Sequence, residues 1–233
     1  MELGTTLGAE TERATLPEAG TLGWKRERVS ERSLQRDGRR WTMWTSWVVA
    51  LFTTPGVVLL AIEPWTAPAA LLCFAHAWAV PGLQARRGAR SLDALPVPGI
   101  GSGAQGEPEA AALGLLADLV GKRGLDLLRD AGVATHRGRL GIWLLGESGA
   151  ILVRPRSRLG GRRVFGYCAR VGKGGDLPPA DRVAHLLLAL REDEEGFATV
   201  ANMGFSGALW RVRRHMRGRE RAALAAACSG SAV

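Results

Sequence analysis

Between Trp41 and Ala85 the chain carries one formally charged residue, Glu63. It separates two uncharged runs, Trp41–Ile62 of 22 residues and Trp65–Ala85 of 21 residues. A bilayer hydrocarbon core of about 30 Å takes about 20 apolar residues per helix, so each run is long enough to cross one. A helix lying on a soluble core would show a polar stripe every three or four positions; here only scattered Ser, Thr and His interrupt the apolar residues. Trp41, Trp44 and Trp47 gather at one end of the first run, Trp78 falls near the same level on the second, and Trp65 marks the other end. Interfacial aromatic belts have that distribution. Pro55-Gly56 is tolerated as a kink in a membrane helix, and Pro68 falls in a first turn, where its missing N–H costs little. The sequence therefore predicts a transmembrane hairpin, residues 41–62 and 65–83, with Glu63-Pro64 at its tip. His76 is an intramembrane ionisable group with no acidic partner in either helix, and its expected role is hydrogen bonding from helix to helix.

Arginine sets the orientation. Lys25, Arg26, Arg28, Arg32, Arg36, Arg39 and Arg40 precede the hairpin, Arg86, Arg87 and Arg90 follow it, and the tip has no basic residue. That asymmetry puts both termini in the cytoplasm of a multi-pass protein of the cell (inner) membrane, with Glu63 outside. The late start and length of the first run, and the second run after it, argue against a cleaved signal peptide.

The rest of the chain divides by composition. Residues 1–23 are rich in Gly, Thr and Glu without apolar periodicity and read as disordered; with 24–40 they form the basic segment before the membrane. Residues 84–106 carry three Arg, two Pro and five Gly, the composition of a linker. Residues 107–233 suffice for one small cytoplasmic domain. There "EPEAAALGLLADLVGKRGLDLLRDAG" has helical spacing, with Pro108 at its start and Gly132 past its end. "RLGIWLLGESGAILVRP" is a hairpin turning at Gly146-Glu147-Ser148-Gly149. "RRVFGYCARV" alternates as a strand, "LPPADRVAHLLLALRED" is a helix opened by Pro178-Pro179, "GFATVANMGF" is a fourth strand, and "GALWRVRRHMRGRERAALAAA" is a basic terminal helix. The fold class is α/β of the α+β kind, in the order α-β-β-β-α-β-α.

Familiar catalytic motifs fail on context. Gly101, Gly103 and Gly106 satisfy G-x-G-x-x-G, but the two prolines of "ALPVPGI" forbid the buried strand a dinucleotide site needs. "GESGA" and "GFSGA" come within one residue of a nucleophile elbow, with Ala150 and Ala208 in the last glycine position; Ser148 and Ser206 read as turn and cap residues. Asp181 and His185, at i and i+4, read as a surface pair. Glu192-Asp193-Glu194-Glu195 falls at a helix C-terminus, where the macrodipole disfavours it, and reads as solvated or facing arginines. Cys73, Cys168 and Cys228 are too widely spaced for a zinc signature or a disulfide framework, which suits a reducing compartment. No catalytic residue, metal or cofactor is expected.

The strongest signal is cationic. The formal charge is +9, and all but Lys25, Lys122 and Lys173 of the 31 basic residues are arginine. Arg154, Arg156, Arg158, Arg162 and Arg163 flank one strand-to-strand turn. Arg211, Arg213, Arg214, Arg217, Arg219 and Arg221 fall on the terminal helix, with Leu209, Val212 and Met216 on its apolar side. Beside an anionic leaflet each such residue contributes about 1 kcal/mol, and the same surface would bind phosphate backbones without sequence preference.

"GAQGEPEAAALGLLADL" (103–119), followed by the hairpin, resembles the nuclease-related domain family, whose first helix opens with Gly-Ala-x-Gly-Glu and whose strand–turn–strand carries a Gly-x-x-Gly tip. The resemblance covers about 55 residues and implies a restriction-endonuclease-like core. Glu107 matches the family's helix glutamate. Gly141 stands where the resemblance expects the metal-binding Asp, and Arg154 and Arg156 stand for the following acid and lysine, so it implies a nuclease-like fold without nuclease activity. The expected function is a membrane-anchored, non-enzymatic interaction module. It would bind an acidic protein or the anionic lipid surface through Arg154, Arg156, Arg162, Arg163, Arg211, Arg213, Arg214 and Arg217. The alternative is a membrane-tethered nucleic-acid-binding domain.

Overall fold

A computed structural model of the chain describes residues 28–96, 106–155, 161–169 and 177–229. Residues 1–27, Gly101, Gly103, Arg156 and Arg158 lie outside them. Helix α1 (Glu31–Ile62) is opened by a capping box, Ser33 N–H donating to Ser30 Oγ at 3.3 Å and Ser30 N–H to Ser33 Oγ at 2.8 Å. A short 3-10 turn (Pro64–Thr66) leads into α2 (Ala67–Arg90). Both helices are long and apolar enough to cross a membrane, and only 6% of the apolar window of each is buried inside the protein. Their own contact is close: a Cβ on Gly56 would lie 2.9 Å from the Phe74 ring. His76 does not hydrogen-bond across to α1, as the sequence reading expected. Its Nδ1 lies 2.7 Å from the Leu72 carbonyl of its own helix, and its ring stacks on Phe52 at 5.4 Å.

The remainder is mixed α and β. Helix α3 (Glu107–Ala131) precedes strands β1 (Ala134–Arg137), β2 (Ile142–Gly146), β3 (Gly149–Val153) and β4 (Arg163–Cys168). Helices α4 (Pro179–Glu192) and α5 (Glu194–Val200), strand β5 (Asn202–Ala208), and helices α6 (Leu209–Arg213) and α7 (Gly218–Ser229) complete the order. The five strands form one antiparallel sheet in chain order. Both faces are covered, which explains the near-continuous apolar runs of β2 and β3. Trp143, Leu145, Leu152, Phe165 and Tyr167 pack with α3 and α4 on one face. Leu144, Ile151, Val164 and Phe205 pack on the other with the end of α2, α6 and α7. A bulge opposite Gly166 and Tyr167 sets Phe205 and Met203 on opposite faces.

Four sequence expectations are corrected. "ATHR" is a strand, held by pairing with β2 although it has little apolar pattern of its own. "GFATVANMGF" begins as α5 and becomes β5 only at Asn202, because Asp193 caps a helix there, accepting from Gly196 N–H at 2.8 Å. The basic terminal helix is two helices: Glu220 accepts from Arg217 N–H at 3.0 Å and starts a new first turn at Gly218. Ser206 lies buried within β5 rather than at a cap, since that strand runs to Ala208.

Residues 84–96 are not a linker either. α2 continues to Arg90, and Ser91, Leu92 and Leu95 are buried. Burying a leucine contributes roughly 1.5–3 kcal/mol, which holds this stretch against the sheet. Leu95 N–H donates to Gly132 O and Glu147 N–H to Asp93 O, each at 2.9 Å. Gly146 has no side chain because the Leu92 carbonyl occupies the space a Cβ would take. The Gly146–Gly149 tip is therefore the seat of the chain leaving the hairpin, and Ser148 Oγ donates to Asp93 at 3.3 Å.

Candidate functional site

The N-terminal half of α1 has two different sides. Leu34 and Gly38, one turn apart, are buried against the sheet domain. Arg32, Arg36, Arg39 and Arg40 are exposed, and the same side continues into Met43, Trp44 and Trp47, also exposed. α2 ends in the exposed Arg86, Arg87 and Arg90. The hairpin thus passes from apolar to aromatic to cationic surface on both helices.

The eight arginines singled out in the sequence separate into two kinds, Arg156 lying outside the described residues. Arg163 donates to Gly38 O and, at 3.0 Å, to Thr42 Oγ1; partial burial pushes its guanidinium below the usual arginine range. Arg154 pairs with Glu31. Arg211 donates to Pro81 O at 2.9 Å and lies over the Phe205 ring at 5.6 Å. Each of these three ties a helix of the hairpin to the sheet domain. Arg162 is half-buried, its carbonyl accepting from Leu209 N–H at 3.1 Å. Arg213, Arg214 and Arg217 are exposed, and Arg217 reaches Asp93 at 3.3 Å.

Beside α2, α6 builds a groove of about 330 Å³. Trp78, Pro81, Gly82 and Arg86 line it from α2, and Trp210, Arg214 and His215 from the α6 side. Trp78 is 81% exposed and Trp210 57%. The Arg214 guanidinium lies over the Trp210 ring at 4.8 Å from its centroid, a cation–π arrangement. Burial, then Arg86 and Arg214, push the His215 imidazole below the usual histidine range. None of the residues lining the groove is acidic. Sequence reading marked Arg214 but missed Arg86, Trp78, Trp210 and His215 as its neighbours. The signal was the tryptophan at the start of α6, which an unbroken terminal helix gave no reason to place against α2.

A second cleft, of about 450 Å³, lies between the β1–β2 turn and the α4–α5 junction, with His136, Arg139, Arg191 and Glu192 on its walls. Most of its carboxylates hold the fold. Glu194 accepts from Arg139 N–H at 2.7 Å, Leu140 N–H at 3.0 Å and Trp143 Nε1 at 2.6 Å. Glu195 pairs with Arg139, and Asp193 with Arg28. Asp193, Glu194 and Glu195 therefore stand at the favourable N-terminal end of α5, not at the C-terminus of α4 where the sequence reading put the run. Burial and Arg191 push His136 below the usual histidine range. Asp181 and His185 lie 3.8 Å apart on α4. Among the described residues no three His, Cys, Asp or Glu side chains converge as a metal-binding set.

No protein-family model matches the chain, and neither curated proteins nor solved structures give a match. The likeness to the nuclease-related domain family thus rests on the short glycine motifs alone.

Proposed function

We propose that the chain is a membrane-anchored, non-enzymatic interaction module of the bacterial inner membrane. The α1–α2 hairpin crosses the bilayer, both termini are cytoplasmic, and the sheet domain is held against the inner leaflet. Its arginines there engage anionic headgroups. The observation that carries this reading is the placement of α6: Trp210 and Arg214 lie beside Trp78 and Arg86, at the level where α2 changes from apolar to cationic. Tryptophan and arginine together suit the headgroup region, and each cation near an acidic leaflet contributes about 1 kcal/mol. Arg32, Arg36, Arg39 and Arg40 extend the same charge along α1.

Topology is the first test. Reporters after residue 20 and after residue 233 should both read cytoplasmic, and a tag at Glu63 should be reached from outside. A C-terminus on the outer side would end the hairpin reading. The surface itself is tested with the full chain in nanodiscs. Amides of residues 209–217 should exchange hydrogen several-fold more slowly in phosphatidylglycerol than in phosphatidylcholine, and Arg213→Gln with Arg214→Gln should remove the difference. Equal exchange in both lipids would overturn the proposal. Protection produced instead by duplex DNA or an acidic protein would assign the arginines to that partner.

A further inference from the structure

We propose that the groove between α2 and α6 holds the headgroup of a single acidic phospholipid. The inference deepens the membrane-surface reading and rests on it: general attraction needs only exposed cations, whereas a groove binds one molecule at a defined place. The walls divide by chemistry as such a molecule does. Trp78, Pro81 and Gly82 belong to the apolar, outward part of α2, and with Trp210 they offer a surface for the glycerol and upper acyl carbons. One helical turn further in, Arg86 meets Arg214 and His215 across the groove.

Three features favour a phosphate monoanion on a lipid over the other occupants of a cationic groove. First, Arg214 is held over Trp210 by its cation–π contact, so its donors are pre-positioned rather than free to follow any passing anion. Second, the positive groups have no acid among the lining residues to neutralise them, and burial, with Arg86 and Arg214 adding to it, favours the neutral form of His215. An anion there relieves that repulsion and can accept a hydrogen bond from the imidazole. Third, the bed is low. Gly82 presents open space where a Cβ would stand, and Pro81 and Ala79 flank it, so a chain can lie along α2 without displacing a side chain. A soluble phosphate would use the arginines but not the tryptophan-lined part. The ligand is therefore the lipid.

The test uses the full chain released from bilayers of phosphatidylglycerol and phosphatidylcholine, with bound lipid counted by native mass spectrometry. Wild type should retain one phosphatidylglycerol in preference to phosphatidylcholine. Gly82→Leu fills the groove and leaves every charge in place; Arg86→Gln removes the cation opposite Arg214. Each should lower retention at least fivefold while the thermal midpoint does not fall below that of wild type. Soluble glycerol phosphate at millimolar concentration should not displace the lipid. Wild-type retention in Gly82→Leu would overturn the groove while leaving the surface reading intact, if residues 209–217 still exchange more slowly in acidic nanodiscs. Displacement by glycerol phosphate would overturn the lipid as its occupant. Loss of lipid-dependent exchange in wild type would sink the surface reading itself.

Discussion

Gly88→Ala should destabilise the protein by about 1–3 kcal/mol, whereas Gly82→Ala, six residues earlier on the same helix, should stabilise it by about 0.5–1 kcal/mol. Composition and helix propensity treat the two alike; their surroundings do not. A Cβ on Gly88 would lie 2.5 Å from Phe205 Cγ and 2.7 Å from Phe205 Cβ. Phe205 is wholly buried in β5, with the Trp41 ring 6.2 Å away on one side and Arg211 over it on another, so it has little room to yield. The Gly82 position opens on empty space. Thermal unfolding of the full chain in detergent, followed by tryptophan fluorescence, should show midpoints moving in opposite directions. Two shifts of the same sign would mean that α2 does not sit on β5 as described.

Glu194→Ala should cost about 2–4 kcal/mol. It removes the acceptor of the Trp143 indole, which is fully buried, together with the acceptors of two backbone N–H groups of the β1–β2 turn. An orphaned buried donor costs about 1–3 kcal/mol, and loss of an acid from the first turn of α5 adds about 0.3–1 kcal/mol. Glu194→Gln discriminates between causes. Its carbonyl oxygen can still serve Leu140 and Trp143 from the Oε1 position, and only the bond to Arg139 N–H is lost. Recovery of most of the stability in the glutamine variant is expected. Equal loss in both variants would mean that charge, not hydrogen bonding, is what the site needs.

The hairpin turn at Glu147-Ser148, the strand at Arg163–Cys168 and the helix opened by Pro178-Pro179 were legible because each combines a period with a terminal signal. Where such signals conflict with distant contacts, local reading failed. β1 has four residues and a polar composition, and only pairing with β2 makes it a strand. Ser91–Leu95 sits in a stretch whose composition resembles a linker, yet Leu92 is buried by groups far along the chain, among them Gly146. The candidate groove is a further case. Arg214 announces itself in sequence, but Arg86 and Trp78 join it only because α6 breaks away from α7 and turns beside α2. Charge counting could not separate Arg163, tied to Gly38 and Thr42, from the exposed Arg213, since both are arginines in arginine-rich runs.

The contact of Phe205 with Gly88 and Trp41 also orders events in time. Translation delivers the hairpin early and Phe205 117 residues after Gly88. Until then the ends of α1 and α2 that meet the domain lack the part of their seat that β5 supplies, because that strand is the last of the five to be made. Contacts so distant in sequence form slowly. Formation of the α1–α2 hairpin and closure of the sheet are therefore separable steps, the second waiting on β5. A ribosome paused before Asn202 would leave a nascent chain with its hairpin complete, while Arg211, which ties α2 to the domain through Pro81 O, is not yet made.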